Sequence, residues 1–207
     1  MRNEFHTLGN TPVTTATIAS FYPRLSGINQ KVAALEDKKE IIRLKKGLYV
    51  VNPDVSDRRI SLELAANHIY SPSYVSMHSA LRWYGIIPER VNVIQSMTLK
   101  HSRRFSNALG VFDYTFVTRQ YFPIGISNEA ENGSSFLIAS PEKALCDLIG
   151  WSKGVNLRYR KEAEIYLEKD LRLDMDAFSK FDISILRQCA NVGKKKDSIE
   201  TIIKLLQ

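Results

Sequence analysis

The stretch SGINQKVAALEDKKEIIRLKKGLYVV, residues 26–51, decides the fold of the N-terminal part of this chain. Ile28, Val32 and Leu35 recur at i, i+4 and i+7, which draws one apolar stripe along a helix with Ser26 as its N-cap and an end near Asp37-Lys38. At about 100° per residue the opposite face carries Ser26, Gln30, Ala33 and Asp37, with Asn29 and Lys31 on its flanks. Ile41-Ile42-Arg43-Leu44 then alternates as a strand, and Lys45-Lys46-Gly47 supplies a turn in which glycine takes a positive φ at little cost. Leu48-Tyr49-Val50-Val51 returns as the second strand.

Working outward, Thr14-Thr15 cap a short upstream helix that contains Ile18, Ala19 and Phe21 and stops at Pro23. Residues 1–12, with Gly9, Asn10 and Pro12, read poorly as a helix. Helix, turn, helix and hairpin in this order predict a winged helix-turn-helix. A recognition helix meets base edges with its N-terminal residues, where Asn or Gln pairs with adenine and Ser bonds to several bases. Ser26, Asn29 and Gln30 are therefore the expected base or groove contacts, and Arg24, Lys31, Arg43, Lys45 and Lys46 the expected phosphate contacts. The competing reading of Lys38, Lys39, Lys45 and Lys46 is a solvated face of an ordinary helix-hairpin unit.

Asn52-Pro53-Asp54 closes this unit, giving a DNA-binding domain over residues 1–53 and a second domain over 54–207. In the second domain Ser56 or Asp57 caps a helix through Ile60, Leu64 and Ala65. A further helix runs from about Tyr74 to Tyr84, stopped by Gly85 and Pro88. Residues 91–98, 111–118 and 135–138 read as strands of a small, mostly antiparallel sheet. Ser140-Pro141-Glu142 opens the best-marked helix, with cap, proline at the first helical position and an early acid, and residues 158–207 follow helical patterns. The fold class expected is α+β: a winged helix-turn-helix, then a mixed domain with a small antiparallel sheet and C-terminal helices.

The 207 residues are 44% hydrophobic and 25% charged, which excludes a disordered or fibrous chain. Apolar runs are too short for a membrane span, and Met1-Arg2-Asn3-Glu4-Phe5-His6 lacks an apolar leader, so the cytoplasm is the expected compartment. The net charge of +7 points to a polyanionic partner. Residues 1–53 hold 8 basic against 4 acidic side chains, 54–150 hold 9 and 9, and 151–207 hold 12 and 9. Arg103-Arg104 with Lys100-His101 are open to a polyanion or acidic-protein contact, and Lys194-Lys195-Lys196 to a second nucleic-acid or partner contact; the competing reading of each is a solvated loop.

No enzyme is expected. The chain has no dinucleotide fingerprint, P-loop, zinc-protease or serine-hydrolase signature. His6, His68, His78 and His101 are scattered, and Cys146 and Cys189 suit buried thiols better than a disulfide framework, so neither metal nor cofactor is expected. Asp174-Met175-Asp176 reads as a helix start capped at Asp176, not as a metal-binding carboxylate pair.

Three stretches carry a family likeness. Ile42-Arg43-Leu44-Lys45-Lys46-Gly47-Leu48-Tyr49-Val50, residues 73–89 (SYVSMHSALRWYGIIPE), and residues 138–148 (IASPEKALCDL) occur in the order and spacing of the AbiEi-like antitoxins, bacterial regulators of type IV toxin-antitoxin systems. The chain resembles that family over roughly residues 13–150. The resemblance implies a repressor that binds inverted repeats of duplex DNA in its own promoter. It also implies a second domain that antagonises a nucleotidyltransferase-like toxin without a stable complex. The alternative is a stand-alone winged-helix regulator whose C-terminal domain senses a ligand or a partner protein, and a third reading is an enzyme acting on nucleic acid that docks through the winged helix.

Overall fold

Thr14 accepts a hydrogen bond from the backbone N–H of Thr17 and so starts the first helix, as its sequence position requires. The computed structural model describes residues 8–89 and 92–207; residues 1–7, the expected start of the N-terminal domain, and Val91, the expected start of a strand, lie outside the described residues. β1 (Val13–Thr14) leads into α1 (Thr15–Ser20), followed by α2 (Ile28–Asp37), β2 (Ile41–Lys45) and β3 (Leu48–Val51). These strands form an antiparallel sheet in the order β1-β3-β2. Gly47 closes the hairpin at φ +78, a conformation that suits glycine. Ile18, Val32, Leu35, Ile41, Tyr49 and Val51 make a small core between the helices and one face of this sheet.

The expected cap of α2 is corrected. Gly27, not Ser26, occupies the N-cap and offers no side-chain bond. Ser26 stands one residue too early for its hydroxyl to serve the first turn.

Beyond the hairpin, α3 (Pro53–Ser56) is a single turn capped by Asn52, and α4 (Leu62–Ile69) is capped by Ser61, whose Oγ accepts from Leu64 N at 3.1 Å. The caps expected at Ser56 or Asp57 are therefore displaced. Asp57, at φ +54, instead ends the short α3 turn. β4 (Ser73–Val75) replaces the start of the helix expected from Tyr74. This segment is inserted between two strands, and helix α5 (Met77–Trp83) begins only after Ser76. Gly85, at φ +72, ends α5 as expected.

β5 (Val93–Thr98), β6 (Arg103–Asn107), β7 (Gly110–Phe116), β8 (Ile126–Glu131) and β9 (Ser134–Ala139) complete a six-stranded sheet in the order β6-β7-β5-β4-β9-β8. It is larger than the small antiparallel sheet expected and it is mixed: β5 runs parallel to β7, and β4 parallel to β9. The unforeseen strands account for the difference. β6 (RRFSN) and β8 (ISNEAE) are polar edge strands, which carry little hydrophobic alternation because charge at an edge discourages further pairing.

Ser140 caps α6 (Pro141–Trp151) with Pro141 in the first turn, as its sequence predicts. α7 (Arg160–Ile165) continues into a π-helical turn at Tyr166–Asp170, then α8 (Met175–Phe178), α9 (Ile183–Val192) and α10 (Lys196–Leu205). Asp174, not Asp176, caps α8, accepting from the N–H groups of Asp176 and Ala177. Lys195 is no solvated loop residue: its ammonium donates to the carbonyls of Ser152 and Val155 at 2.6 Å. Among the described residues no helix is long and apolar enough to cross a membrane.

The hairpin belongs to two cores at once. Tyr49 and Val51 face α1 and α2, while Leu44, Leu48 and Val50 pack into the large core of the second unit, beside residues such as Ile69 and Tyr114. Asn107 in β6 ties the units further, donating to Leu44 O at 2.9 Å.

Candidate nucleic-acid interface

α2 turns its stripe inward and leaves its other face open. Val32 and Leu35 are buried, whereas Asn29, Gln30, Ala33, Ala34 and Asp37 are exposed. Ser26 and Arg24 are exposed in the segment joining α1 to α2. Gln30 folds back toward the helix start: a Cβ on Gly27 would stand 3.1 Å from Gln30 Oε1, so the small residue at the cap makes room for it. Lys31 is half-buried with its ammonium 4.6 Å from the centre of the Tyr22 ring, which holds that cation beside the helix.

The basic residues of the hairpin divide into three environments. Lys46 sits exposed in the two-residue turn. Arg43 is exposed but committed to Glu36 of α2, with its Nε 2.8 Å from Oε1 and its second nitrogen paired with Oε2. That pairing raises its pKa and makes it a weaker partner for phosphate than a free guanidinium.

Lys45 points elsewhere. Arg43 lies opposite Tyr49, and Lys45 lies opposite Leu48, so a bulge falls between them. Simple alternation would set Arg43 and Lys45 on one face. The bulge reverses this and sends Lys45 to the face shared with the second unit. There its ammonium donates to Ile69 O at 2.6 Å. Burial lowers its pKa, and the charges of Lys100 and Arg103 lower it further. The structure thus brings Asn29, Gln30, Ser26, Arg24 and Lys31 onto and beside one helix, while Lys45 joins a separate cluster with Lys100 and Arg103. The sequence marks Lys100 and Arg103 as a basic stretch but not the arrival of Lys45 beside them, which the bulge brings about.

A cleft of about 600 Å³ opens between the hairpin and β6, lined by Glu36, Ile42, Arg43, Asn52, Ser106 and Asn107 among others. No group of three or more potential ligand residues suited to a metal ion occurs among the described residues.

No protein-family model and no curated protein matches this chain.

The other concentration of polar chemistry lies inside the second unit. Asp147 Oδ2 accepts from Ser76 Oγ at 2.6 Å and from Tyr74 OH at 3.1 Å, and Oδ1 stands 3.4 Å from Lys143 Nζ. Lys143 also donates to Tyr121 O at 3.0 Å and lies over the Tyr121 ring. Burial raises the Asp147 pKa and lowers that of Lys143, and the attraction between the two opposes both shifts. The side chains of Lys143 and Asp147 have no exposure to solvent. Residues 73–89 and 138–148 meet in this cluster: Tyr74 and Ser76 from the first, Lys143 and Asp147 from the second. They fasten α6 to β4.

Proposed function

We propose that this chain is a transcriptional repressor that binds duplex DNA in its own promoter, and that it serves as the antitoxin of a type IV toxin-antitoxin system. In this reading residues 1–53 form a winged helix-turn-helix, α2 is the recognition helix and the β2–β3 turn is a short wing. The observation that carries it is the exposed N-terminal half of α2, where Asn29 and Gln30 stand in solvent between the cations Arg24 and Lys31. Asn and Gln are the side chains that pair bidentately with adenine, and α2 presents them at the end that enters a major groove first.

The first turn of α2 has no side-chain cap, which leaves its backbone N–H groups available to a phosphate. Ser26 takes a groove contact, Arg24 and Lys31 flank the helix, and Lys46 reaches the backbone from the turn. Arg43 would join them on leaving Glu36, and Lys45 would do so from the side of the second unit. The sheet order β1-β3-β2, with two helices between β1 and β2 in the chain, suits a winged helix.

The antitoxin role rests on the resemblance. The ligand-sensing alternative calls for a deep apolar pocket within 54–207. Titrating the full chain against its own upstream promoter and a scrambled duplex at two salt concentrations tests the repressor. Tighter, salt-sensitive binding to the promoter is expected. Equal binding to both duplexes would refute sequence-specific repression. Co-expression with a neighbouring nucleotidyltransferase gene tests the antitoxin: growth should be restored, and persistent toxicity would refute that role.

A further inference from the structure

The β5–β6 connection and the end of β7 carry a second surface that duplex reading by α2 does not use. Lys100 lies with its ammonium 5.2 Å from the centre of the Tyr70 ring, and the Arg103 guanidinium lies 4.8 Å from the centre of the Phe105 ring. Tyr70 packs in turn against Phe105 and Tyr114, so the two cations rest on a floor of packed aromatic rings. Phe116, at the end of β7, is 47% exposed, which leaves a large apolar ring in water. Beside it lies a depression of about 300 Å³ lined by Tyr70, Leu99, Lys100, His101 and Phe116, with no carboxylate among them. Lys45 adds its charge from the hairpin, within the reach of Lys100 and Arg103.

We propose that the surface made by Phe116, Tyr70, Lys100 and Arg103 binds single-stranded nucleic acid, with one unpaired base stacked on Phe116 and the adjoining phosphates on Lys100 and Arg103. A duplex hides the faces of its bases, so it would use the cations and leave Phe116 idle. An acidic peptide would satisfy the cations and likewise offer nothing to the ring. An unpaired nucleotide brings a flat π-face and an anion together, the combination this surface presents. Arg103 and Lys100, held down on Tyr70 and Phe105, lose little freedom on meeting phosphate.

The test is fluorescence anisotropy on the full chain with labelled oligoadenylate strands, one DNA and one RNA, and with the corresponding dA·dT duplex. The wild-type chain should bind a single strand. Phe116→Ala should weaken strand binding roughly tenfold while duplex binding is unchanged, and Phe116→Trp should restore it. Lys100→Ala with Arg103→Ala should weaken strand binding and flatten its salt dependence. A preference for RNA or for DNA names the source of the strand, and either supports the site. Absence of strand binding, an unchanged Phe116→Ala variant, or equal displacement by polyglutamate would overturn it. Gln30→Ala should leave strand binding intact, so failure of promoter reading and failure of this site are separately visible.

Discussion

Helices α2 and α6 are nearly equal in length, ten and eleven residues, and both carry polar side chains among apolar ones, yet the fold uses them in opposite ways. α6 buries Lys143 and Asp147 completely and gives each of them protein partners. α2 leaves Asn29 and Gln30 in solvent. A polar group satisfied inside the protein maintains architecture, whereas one held at the surface is available to something outside. Residues 138–148 and 73–89 illustrate the first case, because Lys143 and Asp147 meet Tyr74 and Ser76 in a buried network.

Removing Asp147 puts the greatest strain on this contrast. Asp147→Ala leaves the Lys143 ammonium buried without its carboxylate and should cost about 3–5 kcal/mol of unfolding free energy in urea titration. A decrease under about 1 kcal/mol, the range of an exposed pair, would mean that the network is not structural.

The hairpin lies between the two helices in character, because one strand pair serves both cores. Leu48→Ala should destabilise the chain by roughly 2–5 kcal/mol, and the two units should still unfold in one transition. Two resolved transitions in calorimetry would show that the hairpin does not couple them.

Gln30→Ala approaches the contrast from the other side. Stability should stay within about 0.5 kcal/mol of wild type. Discrimination between promoter and scrambled duplex should fall by about 1–3 kcal/mol, read from competition binding. Retained discrimination would remove α2 from the reading role.

The smallest effects separate the adjacent lysines. Lys46→Ala should lower the slope of log K against log salt by about 0.9, the share of one neutralised phosphate, with stability unchanged. Lys45→Ala should cost about 1.5 kcal/mol of stability, because it removes a charged hydrogen bond to Ile69 O. Identical behaviour of the two variants would contradict the bulge as the device that parts them.

Much of the first unit is legible from local chemistry. Thr14 caps α1, Ile28, Val32 and Leu35 face inward, Gly47 closes the hairpin, and Asn29 and Gln30 fall on the open face because helical periodicity alone puts them there. Less of the second unit is legible. At β4, SYV followed by MHSALRW has apolar residues compatible with either period, and only its position between β5 and β9 selects a strand over a helix. The edge strands β6 and β8 are polar, so alternation gives no signal there.

Features that depend on residues close together in the chain are therefore written in the amino-acid order: the capped helix starts at Thr14 and Ser140, the helix stop at Gly85, the hairpin, the α+β class and the excess of cations. Which polar groups are already engaged is settled only on folding. Asp147 meets Tyr74 and Ser76 across more than seventy positions, Arg43 is taken by Glu36, and a bulge turns Lys45 toward Ile69 and the cations of the β5–β6 edge. Burial and pairing depend on distances that only the folded chain sets, and they separate a charge that supports the fold from one free to meet a ligand.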